Sequence, residues 1–280
     1  MAAVLLTVSC SNPRQPAASK QLTVSILPQK FLVDFISGNR FNVQVMLPPG
    51  SNHETYEPSP RDMEKISSSR MYYILGFLDF ELTWLDRFKA ANPEMLIINT
   101  GEGIKMLSGH VHENEDVGHK YGTDPHTWLS PSCMKIQAAN ICKALTGIDA
   151  ANESIFHNNL KRFNFLADSI DQQIRKRLSG EVAKTVLIFH PALGYFARDY
   201  NLTQMSIEME GKEPSPAHMG ELIKMAKERG ITAVFISREF DTRHAEAIAR
   251  EINGKVVVFD PMSDNWPENM IHLAELIAEN

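Results

Sequence analysis

Apolar positions along this chain fall into two alternating rhythms. Short apolar runs of strand length occur at residues 22–27, 42–47 (NVQVML), 71–75 (MYYIL), 95–99 (MLIIN), 185–189, 231–237 and 255–259 (KVVVF). They are rich in β-branched, aromatic and long aliphatic residues, as half- or fully buried strands are. Between them, apolar residues recur at helical spacing over 31–37, 61–70, 80–91, 130–145, 217–228, 242–252 and 267–279. Strand and helix in strict alternation predict a parallel, wound α/β sheet.

One segment exceeds the others. Over residues 152–178, Ile155, Leu160, Phe163, Leu166, Ile170, Ile174 and Leu178 keep helical spacing, and no Pro or Gly interrupts them. At about 1.5 Å rise per residue such a helix spans roughly 40 Å. The simplest architecture is therefore two wound parallel-sheet lobes, residues 21–150 and 181–280, joined by one long rigid backbone helix over 151–180. No internal repeat of fixed period is visible.

Two stretches break the alternation. Residues 1–10 (MAAVLLTVSC) read as the end of a lipoprotein signal peptide, with Cys10 the residue to be acylated. Polar, proline-containing residues 11–20 would then be a flexible tether. This predicts a periplasmic or cell-surface bacterial protein that touches the membrane through its lipid alone. The second stretch, residues 109–123 (GHVHENEDVGHKYGT), is a polar surface loop rich in histidines and acids.

Composition narrows the field. Hydrophobic residues make up 43% and charged residues 22%, enough apolar surface for a packed core and against global disorder. A net charge of −6 argues against a nucleic-acid-binding face, which needs clustered basic residues. No apolar run reaches the roughly 18 residues of a membrane-spanning helix. Cys133 and Cys142 fall on one helix, too far apart to pair, and read as small buried hydrophobes.

Candidate chemistry sits in four segments. His53 lies in the proline-rich loop over residues 48–60, His126 in residues 124–131 (DPHTWLSP), His190 directly after a strand, and Asp260 directly after another. Ligands of wound parallel sheets bind beyond the carboxyl ends of the strands, and all four residues fall at such ends or before a helix. Two come from each half, so all four can face one cleft. Three imidazoles and a carboxylate make a four-coordinate shell suited to a divalent first-row metal. Flanking prolines restrict the backbone beside His126, His190 and Asp260. The spacings match no local zinc-finger pattern.

These segments resemble the metal-binding signatures of the periplasmic solute-binding proteins that serve zinc and manganese ABC importers, the cluster A-I metal-binding lipoproteins. Residues 50–60 (GSNHETYEPSP) are similar to that family's G-x-x-x-H-x-Y-x-P-x-P loop, with one residue fewer before the histidine. Residues 124–131 match its D-P-H-x-W-L-x-P box throughout, and His190, Tyr195 and Phe196 match its H-x-x-x-x-Y-F element. Asp260, Pro261 and Met262 stand where the family often has D-P-L, but the glycine common afterwards is absent. The likeness runs from about residue 22 to residue 280.

The resemblance implies two lobes on one long helix, with His53, His126, His190 and Asp260 as metal ligands. It implies capture of Zn2+ and its delivery to an ABC importer permease with its ATPase, by a monomer without enzymatic turnover. Manganese members tend to carry glutamate in the third position; His190 supplies a third nitrogen and favours zinc, with Mn2+ the alternative. Residues 109–120 occupy the place of the histidine-rich loop of zinc members. Two other readings compete: a zinc hydrolase, disfavoured by the occupied carboxylate position and the lack of an H-E-x-x-H helix, and a metal-binding adhesin lipoprotein, for which no adhesive patch is evident.

Overall fold

In the computed structural model, residues 20–107, 123–180, 184–208 and 214–280 are described. The expected lipid-anchor segment with Cys10, and most of the histidine-rich loop, lie outside them. The central strands of each half are buried on both faces, as parallel sheets demand. β3 (Met71–Ile74) is buried along its whole length, and β7 (Ala233–Ser237) likewise. They belong to two four-stranded parallel sheets. The first contains β1 (Gln21–Val24), β2 (Asn42–Val45), β3 and β4 (Leu96–Asn99), in the order β2-β1-β3-β4. The second contains β5 (Thr185–Ile188), β6 (Thr203–Ser206), β7 and β8 (Lys255–Phe259), in the order β6-β5-β7-β8. The winding is the same in both halves although the sequence shows no repeat.

Helices start where the local chemistry permits. α1 (Leu27–Ser37) has Pro28 in its first turn and ends on Gly38, whose φ of 64° suits glycine. α2 (Pro60–Ser68) opens with a reciprocal capping box between Ser59 and Asp62. α3 is Asp79–Ala91. α4 (Pro131–Ile148) is capped by Ser130, whose hydroxyl accepts from the Cys133 amide. Cys133 and Cys142 both lie on α4, buried and free.

The long segment forms α5 (Glu153–Arg177), 25 residues, with Glu153 in the first turn and Arg175, Lys176 and Arg177 in the last, charges that complement the helix dipole. In the second half follow α6 (Gly194–Tyr200), α7 (Pro216–Glu228), α8 (Arg243–Glu251) and α9 (Trp266–Ala278). Among the described residues no helix is long and apolar enough to cross a membrane.

α5 ties the halves together. Phe163 is fully buried on it, its ring 6.4 Å from Phe31 and 5.7 Å from Phe35 of α1, and 5.8 Å from Trp266 of α9. Asn159 donates to the Ile36 carbonyl at 3.1 Å. Two indoles add a second tie. Trp128 Nε1 donates to the Pro261 carbonyl at 2.8 Å, and Trp266 Nε1 donates to the Trp128 carbonyl at 2.7 Å. One apolar core therefore runs from Leu22 and Tyr72 through Phe163 to Val186, Phe259 and Trp266, and a second fills the space between β7 and helices α7 and α8.

Candidate metal centre

His53 leaves the loop after β2. His126 precedes a short 3-10 turn, Thr127–Leu129, that leads into α4, and His190 follows β5 by two residues. All three side chains are buried, at 6%, 3% and 5% relative exposure. Each offers a ring nitrogen, and these nitrogens lie within 4.8 Å of one another. Nε2 of His53 faces Nε2 of His126 at 3.2 Å. The rings meet edge to face, with centroids 5.1 to 5.7 Å apart.

Carboxylates hold two of the three rings from behind. Asp124 Oδ1 accepts from His126 Nδ1 at 2.8 Å and from the His126 amide at 2.9 Å. On the other side, Glu208 Oε2 pairs with His190 Nδ1 at 2.8 Å, and Glu54 Oε2 stands 3.9 Å from the same nitrogen. His190 Nε2 is buried and has no hydrogen-bond partner. A buried ring nitrogen without a partner is costly unless something else engages it. Trp128 lies against His126 at 5.1 Å, and Phe240 stacks on His190 at 5.1 Å and 20°. These walls shield the imidazoles from water.

Electrostatics follow from this enclosure. Burial holds His53 well below its ordinary pKa of 6.5, and the neighbouring His126 and His190 lower it further. Burial also lowers His126, although Asp124 opposes it. Burial would lower His190 too, but the Glu208 hydrogen bond, Glu54 and Glu239 outweigh it and raise its pKa. Burial likewise raises the carboxyls of Glu54 and Glu239. His53 and His126 are thereby kept neutral and ready to accept a dication, whereas the carboxylates beside His190 favour its protonated form, so binding there competes with a proton.

Asp260 does not join this group. Among the described residues, metal-capable side chains gather in two overlapping clusters, His53–His126–His190 and Glu54–His190–Glu208, and Asp260 belongs to neither. Its Oδ1 accepts the Met262 amide at 2.8 Å, the local turn that an aspartate readily makes two residues ahead. Glu208 gives no signal in the sequence, because β6 is too short and too polar to announce itself. Gly194 has a local reason as well. A Cβ there would stand 2.1 Å from Asp124 Oδ2, displacing the carboxylate that orients His126.

Buried imidazoles set between two parallel α/β lobes, with one helix spanning both, define a metal-binding solute-binding protein. The chain belongs to the family described as ZnuA, zinc-uptake complex component A, periplasmic, whose model matches residues 22–280. A crystal structure of ZnuA superposes with a TM-score of 0.86 at 38% identity, covering 92% of this chain and 97% of that one. A zinc-bound deletion mutant of ZnuA gives 0.84 at 37% identity, covering 92% and 96%. The high-affinity zinc uptake system protein ZnuA of Bacillus subtilis is 24% identical over 276 residues, 93% of this chain and 86% of its own.

Proposed function

We propose that this protein captures Zn2+ outside the cytoplasmic membrane and delivers it to the permease of an ABC importer. The observation that carries this reading is the meeting of His53, His126 and His190, each buried and each offering a nitrogen within 4.8 Å of the others. Three imidazoles suit a borderline ion, and a fourth donor would close a tetrahedral shell with no open position for catalysis. That donor is an oxygen. The candidates are Glu54, whose Oε2 stands 3.9 Å from His190 Nδ1, and Asp260, whose Oδ1 accepts the Met262 amide while its second oxygen makes no such bond among the described residues. A lipid anchor on Cys10 and a monomeric state complete the proposal.

Calorimetry on metal-free protein tests it. Near-stoichiometric, tight Zn2+ binding is expected. His126→Ala should weaken it by more than about 100-fold, beyond the upper end for loss of an outer-shell partner. Comparing Glu54→Gln with Asp260→Asn identifies the oxygen donor by which variant loses affinity. Absence of tight binding in the wild type would overturn the reading. The oxygen-rich cluster of Glu54, His190 and Glu208 favours a second reading, Mn2+, which the same titration separates by competition.

A further inference from the structure

We propose that Glu208 is the positioning residue that makes His190 a nitrogen ligand through Nε2. This rests on the three-histidine reading above and deepens it. Glu208 and His190 meet because of strand register. β5 pairs with β6 so that Thr185 faces Thr203 and Ile188 faces Ser206. Carried two residues past the strand ends, the same register sets His190 opposite Glu208. The ladder does continue: Ile207 N donates to Ile188 O, and Glu208 N donates to Phe189 O, both at 2.9 Å. Phe189 N is bonded in turn to Phe235 O of β7 at 2.7 Å. The carboxylate and the imidazole are thus fixed by backbone on both sides.

The hydrogen bond decides which nitrogen is free. Ionised Glu208 can only accept, so His190 Nδ1 carries the proton, and in the neutral ring Nε2 keeps the lone pair. That Nε2 is the buried atom without a hydrogen-bond partner. Phe240, stacked on the ring, resists the rotation that would carry Nδ1 away from Glu208. Asp124 treats His126 in the same way from the other half of the molecule, leaving its Nε2 to face His53. Asp124 lies two residues from its histidine, whereas Glu208 reaches its own across a strand pair.

The pairing also bears on metal choice. While Glu208 accepts from Nδ1, its own oxygen is committed and His190 presents nitrogen to the three-imidazole cluster. Without that partner the other tautomer becomes available, and the Nδ1 lone pair would face Glu54. The donor set then shifts towards oxygen, which suits harder ions.

Nitrogen-resolved NMR of the imidazole rings in metal-free protein reads the tautomer directly. The wild type is expected to carry the His190 proton on Nδ1. In Glu208→Gln, whose amide can either donate or accept, the two tautomers should mix. Zinc affinity should fall 10–100-fold, the loss typical of an outer-shell partner, and the preference for Zn2+ over Mn2+ should narrow. The His126 tautomer and the circular dichroism should not change. A wild-type His190 protonated on Nε2 overturns the proposal, and that measurement needs no variant to fold. So does Glu208→Gln with unchanged zinc affinity. A wild type that binds no zinc would overturn the three-histidine reading instead, while the Nδ1 proton could still be observed.

Discussion

Each histidine at the centre carries its proton balance into folding. His53 is held well below 6.5 in the folded chain, whereas an unfolded chain would protonate it near that value. Between the two, the unfolded state binds the extra proton, so this contribution to stability is full above 6.5 and lost as pH falls. His190 has the opposite sign: its pKa is raised, so its contribution is present below 6.5 and lost as pH rises through the folded value. His53→Gln removes only the first. Urea denaturation of the metal-free protein should therefore lose stability less steeply from about pH 7 to about pH 5.5 in the variant than in the wild type. Equal slopes would mean that His53 is not kept neutral. At this scale the meeting of His53, His126 and His190 was legible, because the DPHTWLSP box and the strand-end histidines carry strong local patterns. The placement of Asp260 apart from them was not, because an aspartate after a strand can serve its own backbone, and nothing in its neighbours tells which use prevails.

Among the elements, α5 carries the largest share of the join between the halves. Phe163 fills the space between α1, α5 and α9. Phe163→Ala should cost about 3–5 kcal/mol, the usual range for emptying a buried aromatic site, measured as a shift of the urea midpoint. A loss under about 1 kcal/mol would show that the neighbours collapse into the gap. Most elements were legible in the sequence, with ends displaced by up to four residues. α1 starts earlier than its apolar spacing predicts, because Pro28 can sit in a first turn. α6 and β6 were missed for a physical reason. Seven residues cannot display helical periodicity over two turns, and Thr-Gln-Met-Ser has no apolar alternation. β6 is held by its pairing with β5, by Gln204 accepting from the Leu193 amide, and by Met205 packed against the second core. Glu208 went unnoticed with it.

The whole molecule has two sheets but one main core. Leu22 and Tyr72 of the first sheet and Val186 and Phe259 of the second belong to the same apolar cluster, so the halves share most of their core, and the second half adds a smaller cluster of its own between β7, α7 and α8. Thermal unfolding should be a single cooperative transition, followed by calorimetry. Zn2+ held at about 100 times its dissociation constant should add about 2.7 kcal/mol and move the whole transition upward, and a chelator should return it. Two separate peaks, with only one responding to zinc, would show that the shared core does not couple the halves. The alternating pattern of strand and helix announced this architecture, but the identical winding of the two sheets was hidden. Strand order depends on which faces each helix covers, and the two halves achieve the same order with unrelated residues.

The depth of the three imidazoles also sets a clock. All three are at least 94% hidden, while the Glu54 side chain keeps 28% of its surface in contact with solvent. An ion held among them would have to break its nitrogen bonds inside an aromatic-walled pocket before water could receive it. Escape by diffusion alone is then slow compared with encounter, and tight binding is mostly long residence. For a carrier this turns affinity into a question of timing: how quickly the cargo can be handed on is set by how long the ion stays.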